Sequence, residues 1–218
     1  MILSVIFDLD GTLANTIDDI GAACNYALGK FGMSGHTADE YKYFVGDGIK
    51  ELIERALPEN YRDNAEMKEA CLLEFRRYYQ ENYCVFTKPY DGIYETLEKL
   101  KRLGISLSVV TNKNEEAVGL IIKKLFGGYF ETVIGNSDRI KQKPDPESVI
   151  KIMEQNSLSK DEVLFVGDSY TDIRTAKNAG IKGVGVLWGF RTREELENEG
   201  ADFIIERPEE LIDIVNSL

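Results

Sequence analysis

The chain opens on a short apolar run at residues 2–7, interrupted only by Ser4, and a run of that length bounded by polar residues predicts a buried strand. The period then changes to threes and fours. Ile17, Ile20, Cys24, Ala27, Leu28 and Phe31 would share one face of a helix, with Asn15 or Thr16 placed to cap it and Gly32 to stop it. Thr37-Ala38-Asp39-Glu40 and Asp63-Asn64-Ala65-Glu66 have the spacing of capping boxes, and Pro58 follows Leu57 at a helix end. Residues 14–82 are thus expected to form several helices with no strand among them.

From residue 83 onward the pattern alternates. Helices are expected at 93–103, 115–125, 146–155 and 171–178, with Gly104 and Gly180 as stops, and strands at 105–110, 131–134, 163–166 and 184–187. A helix, a strand and a helix close the chain over 192–217. Strands that alternate with helices pair in parallel and are covered on both faces, so the expected fold class is α/β, a Rossmann-like doubly wound parallel sheet. The opening strand cannot stand alone beside a helical bundle and belongs to that sheet. The predicted organisation is a core domain of residues 1–13 and 83–218 with an inserted all-helical domain of residues 14–82.

Composition narrows the class of partner. The 218 residues include 43% hydrophobic and 29% charged side chains, as in a soluble globular protein. A formal charge of −12 repels phosphate at long range, which argues against nucleic acid or an anionic membrane as a partner. An anionic substrate would have to be held by a metal or by a few placed lysines. Cys24, Cys71 and Cys84 are an odd set without CxxC spacing, expected to be packing residues of a reduced cytoplasmic protein. No stretch approaches the length needed to span a bilayer. His36, the lone histidine, lies in a turn-like stretch and reads as a solvated loop residue. Acid–base chemistry would therefore fall to carboxylates.

Asp8-Leu9-Asp10-Gly11-Thr12 stands where the first strand emerges. Open α/β sheets bind ligands at the carboxyl ends of their strands, and two adjacent carboxylates repel each other unless they share a proton or surround a cation. The plainer reading is that Asp and Gly are ordinary turn residues. Further polar residues follow other strands: Thr111-Asn112-Lys113, then Lys143-Pro144-Asp145-Pro146, then Gly167-Asp168-Ser169-Tyr170-Thr171-Asp172. Parallel strands bring these ends to one edge and predict a single site. Asp168 and Asp172 could equally cap a helix, and Lys143 could be solvated.

In their order, these four segments resemble the motifs of the haloacid dehalogenase superfamily of phosphotransferases. Val45-Gly46-Asp47-Gly48 with Leu52, Thr111-Asn112-Lys113, and Trp188-Gly189-Phe190 before Arg193-Glu194-Glu195-Leu196 are similar to the phosphoglycolate phosphatase-like subgroup, which carries an all-helical cap after the first motif. The resemblance departs at Asn15, where relatives often have Asp. It implies a Mg²⁺-dependent phosphatase of small phosphorylated metabolites, acting as a monomer or homodimer. Asp8 would be the nucleophile that forms an aspartyl-phosphate, and Asp10 the acid and then the base. Asp8, Asp168 and the Asp10 backbone carbonyl would hold Mg²⁺, with Asp172 supporting the metal waters or Lys143. Thr111 and Lys143 would meet the phosphate with help from Asn112, Leu9, Gly11 and Thr12. In the cap, Gly46, Gly48 and Lys50 are candidate contacts, though an ordinary helix start with a surface lysine fits them as well. The direction in which Lys113 points is open.

Rival chemistries remain. Pyrophosphate hydrolysis, a 5′-nucleotidase or a sugar phosphomutase would use the same design. A metal-independent dehalogenase needs no second carboxylate at Asp10, and a non-catalytic binding module would be expected to have lost one of Asp8, Asp10, Lys143 or Asp168.

Overall fold

The computed structural model describes residues 1–218, which divide into two compact units, Met1–Asn15 with Pro89–Leu218, and Thr16–Lys88. In the first unit, β1 (Ser4–Phe7), β4 (Ser106–Asn114), β5 (Thr132–Asn136), β6 (Val163–Gly167), β7 (Lys182–Val186) and β8 (Phe203–Ile205) form one sheet in the order β5-β4-β1-β6-β7-β8. Every pairing in it is parallel. The intervening helices are α5 (Ile93–Arg102), α6 (Glu115–Leu125), α7 (Glu147–Gln155), α8 (Tyr170–Ala179), α9 (Arg193–Asn198) and α10 (Glu210–Ser217).

The burial of β1 on both faces explains its apolar run. Ile6 packs with Val110, Val149, Ile152, Phe165 and Ala176 in one core cluster. Phe7 is in register with Val109 on one side and Val166 on the other. The chain leaves β1 toward β4 and β5, then crosses to β6 on the opposite side, which makes the carboxyl end of β1 a topological switch point.

The second unit is helical, with α1 (Ile17–Lys30), α2 (Ala38–Phe44), α3 (Ile49–Ala56) and α4 (Ala65–Asn82). Tyr26 of α1 stacks on Tyr78 of α4 with ring centroids 4.5 Å apart. Asp19 of α1 is buried and its carboxylate accepts the amides of Val85, Phe86 and Thr87 and the Thr87 hydroxyl, at distances of 2.6–3.1 Å.

Several local expectations change. The strand-free reading of residues 14–82 fails at its first two residues, because β2 (Ala14–Asn15) pairs with β3 (Lys88–Pro89), and a two-residue strand carries no period. Thr16 occupies the cap position of α1, yet its side chain makes no capping hydrogen bond. At α4 the cap is Asn64, which accepts from Met67, not Asp63. The Thr37–Glu40 capping box forms as expected. His36 is packed, not solvated: its Nε2 lies 2.8 Å from the Ala56 carbonyl, and its ring meets Tyr41 and Phe44 edge-on.

Candidate active site

Asp8 is the first residue beyond β1, and its amide donates to the Val166 carbonyl at 2.9 Å, which continues the strand pairing by one step. The chain then turns tightly. Leu9 is buried, and its carbonyl accepts the amides of Thr12, Leu13 and Ala14. Gly11, at φ +87°, has the left-handed conformation that the turn demands. A Cβ there would meet the Asp168 carboxylate, so the glycine also lets two motifs approach.

Asp168 follows β6 and is buried beside this turn. Its carboxylate accepts the Thr12 hydroxyl at 3.2 Å and the Phe190 amide at 2.7 Å. Trp188 Nε1 donates to the Thr12 carbonyl at 2.9 Å, so the segment after β7 closes over the same turn. Gly189 permits that closure, since a Cβ there would collide with Asp168 and the Gly11 carbonyl.

Lys143 lies in the loop between β5 and α7. Its ammonium is 2.8 Å from Asp8 Oδ1 and 2.6 Å from Asp172 Oδ1, and all three residues are buried. Asn112, near the end of β4, anchors the lysine: its Nδ2 donates to the Lys143 carbonyl and its Oδ1 accepts the Lys143 amide. Asp172, in the first turn of α8, also accepts from the Ser169 amide and hydroxyl. Helix capping and contact with Lys143 therefore coexist in one side chain.

Thr111 is buried in the same stretch of β4, and its hydroxyl oxygen accepts the Lys113 amide at 3.3 Å. Lys113 turns toward Asp10 and donates to both carboxylate oxygens, at 2.9 and 3.2 Å. Asp8, Asp10, Thr111, Asn112, Lys143, Asp168 and Asp172 are thus gathered within the first unit. Gly46, Gly48 and Lys50 lie in the second, where Gly48 precedes α3 and Lys50 is exposed.

The electrostatics show a site short of positive charge. Burial pushes the Asp8 carboxyl up to about 7; Lys143 opposes the shift, while Asp172 and Asp10 add to it. Asp168 is raised by burial and by Asp172 and Asp8, against the Phe190 amide and Arg191. Burial works against the Lys143 ammonium, but Asp172 and Asp8 outweigh it and raise its pKa. One oxygen each from Asp8, Asp168 and Asp172 lies within 4.8 Å of the others. Asp8 Oδ1 is buried and, despite the charge contact with Lys143, lacks a hydrogen bond of proper geometry. Three hard oxygen donors gathered this closely fit a hard divalent cation.

The profile of the haloacid dehalogenase-like hydrolases matches residues 5–186. The chain belongs to that family. This hydrolase is 36% identical over 214 residues to the phosphoglycolate phosphatase of Aquifex aeolicus, covering 98% of the chain and 96% of the relative. It is also 36% identical over 209 residues to the phosphoglycolate phosphatase of Neisseria meningitidis, covering 93% and 88%. The crystal structure of a predicted phosphoglycolate phosphatase from Haemophilus somnus superposes with a TM-score of 0.91 at 28% identity, covering 98% of this chain and 97% of that one.

Some contributors were not assigned roles by sequence reasoning. Trp188, Gly189 and Phe190 were noticed as a motif, but their hydrogen bonds to the first turn depend on β7 lying beside β6. Tyr90 is another case. Its phenol is raised by burial, with the charges of Asp168 and Asp10 adding, and no local pattern marks it as a neighbour of either.

Proposed function

We propose that this hydrolase is a Mg²⁺-dependent phosphatase of small phosphorylated metabolites, with 2-phosphoglycolate its leading substrate. The observation that carries the reading is Lys143, buried and bridging Asp8 and Asp172 beside Asp168. A buried ammonium in that position can offset charge as phosphorus moves toward a carboxylate.

Asp8 attacks phosphorus and the ester P–O bond breaks, leaving phosphorus bonded to an Asp8 carboxylate oxygen. Asp10 gives a proton to the departing alkoxide oxygen. Asp10, now a carboxylate, takes a proton from water as the water oxygen attacks phosphorus; the bond to Asp8 breaks, inorganic phosphate leaves, and the nucleophile is restored. The Thr111 hydroxyl and the Leu9 amide orient the phosphoryl group, and Gly11 and Thr12 shape the turn that presents them. Asp8, Asp168 and the Asp10 carbonyl would hold Mg²⁺, which would supply positive charge to the phosphoryl oxygens. Asp172 holds Lys143 in place, and Asn112 fixes its backbone.

The helical unit serves as a cap in this reading, and Gly46, Gly48 and Lys50 are its candidate substrate residues. Three buried cysteines, none in a disulfide, support a reduced, cytoplasmic setting.

A phosphate-release screen over 2-phosphoglycolate, pyrophosphate, nucleoside monophosphates and hexose phosphates tests the assignment. Release from 2-phosphoglycolate should dominate, stop in a chelator and return with Mg²⁺. Release that persists after thorough chelation would remove the metal from the mechanism.

A further inference from the structure

Lys113 raises a question that the phosphoryl chemistry leaves unanswered. It is nearly buried at 7% side-chain exposure, and it pairs with Asp10, itself only 12% exposed. Both Asp10 oxygens receive it, at 2.9 and 3.2 Å. Neither the attack on phosphorus nor the capture of water uses this second buried ammonium. The cation must then have another use.

The geometry of the transfer supplies one. To protonate the ester oxygen, Asp10 must come within about 2.6–3.2 Å of it. The carbon skeleton of the leaving group begins at that oxygen, so a carboxylate on the adjoining carbon falls beside Asp10, where the ammonium already lies. Lys143 is committed to Asp8 and Asp172 at the phosphoryl end. Lys113, one residue before the last of β4, contacts Asp10 instead.

We propose that Lys113 is a specificity residue that binds the carboxylate of an α-carboxymethyl phosphate, passing from Asp10 to the substrate when it binds. This rests on the phosphatase reading and names the leaving-group charge that the site selects. A neutral or cationic leaving group would leave the lysine on Asp10.

The test is a substrate ladder with three phosphate monoesters of similar size: 2-phosphoglycolate with an anionic leaving group, ethyl phosphate with a neutral one, and O-phosphoethanolamine with a cationic one. For the wild-type protein with Mg²⁺, kcat/KM should fall by about 10- to 100-fold from the first to the second, the range of a charge-assisted hydrogen bond, and further to the third. Lys113→Met should compress the ladder by losing more on 2-phosphoglycolate than on ethyl phosphate, and Lys113→Arg should restore part of the spread. Equal losses on all three esters would make Lys113 only a positioning residue for Asp10 and would overturn the proposal. A flat wild-type ladder would overturn it too, even if the variants fail to fold. A wild-type protein that releases phosphate from none of the three would instead reject the phosphatase reading, and the two failures are told apart by the wild-type rates alone.

Discussion

Gly11 and Gly189 have no side chains, and the space each leaves free is filled by Asp168 or its neighbours. Gly11 also has φ +87°, which an L-residue adopts only with strain. Gly11→Ala should therefore displace Asp168 and lower phosphatase activity by at least about tenfold while circular dichroism of the fold persists, since the strain is local to the turn. Lys143 invites a different substitution. Lys143→Met removes the counter-charge of two buried carboxylates, and breaking such a pair destabilises by about 3–5 kcal/mol. Urea unfolding in chelator should show a loss of that order, reduced at acidic pH where Asp8 is protonated. At this scale the sequence was informative about residue types and silent about directions. Asp8, Lys143 and Asp168 stood out because carboxylates and a lysine recur after strands. Lys113, which turns to Asp10, and Asn112, which grips the Lys143 backbone, both lie where the register of β4 shifts between Val110 and Asn114, and no local pattern marks such a shift.

Periodicity located the regular elements well because their packing is regular. α6 has the bounds its sequence predicts, with Asn114 accepting two amides of its first turn. The α5 stop at Gly104 and the α8 stop at Gly180 both show positive φ. What periodicity misses is irregular contact over long separations, and Asp19 is the clearest example. It sits on α1 where a helix would be expected to show an acid to solvent, yet it is 2% exposed and receives the amides of residues 85–87. Asp19→Ala would leave those donors unpaired in a buried place and should cost about 3 kcal/mol in urea unfolding. Asp19→Asn, which keeps one acceptor, should cost less, and equal effects would show that a neutral acceptor carries no weight without the carboxylate's charge.

Over the whole molecule, the parallel sheet order does what no single motif could. It puts β4 and β6 on either side of β1, and so brings residues 8, 111, 143 and 168 to one edge from widely separated parts of the chain. The charge gathered there has a consequence for stability. Asp8 is pushed up to about 7 and Asp168 is raised, both mainly by burial, so both take up protons on folding more readily than in the unfolded chain. Such groups contribute stability below their ordinary carboxylate range, and it is lost as pH rises through the folded values. Glu40, Glu54, Glu162 and Glu199 are held below their usual values by hydrogen bonds or ion pairs, so they remain ionised above pH 5 and do not mask the trend. In chelator, Tm should fall between pH 5 and pH 8, and Mg²⁺ should restore it at pH 8. A Tm that is flat across that window and indifferent to Mg²⁺ would remove the acidic cluster as a cation site.

Asp8 as the nucleophile is tested most directly by mass spectrometry of acid-quenched turnovers with 2-phosphoglycolate and Mg²⁺. A phosphoryl group should be found on the peptide that contains Asp8, should accumulate in Asp10→Ala, where the base that activates water is gone, and should be absent in Asp8→Asn. Turnover at a normal rate with no phosphoryl group on that peptide, or undiminished phosphate release by Asp8→Asn, would contradict it.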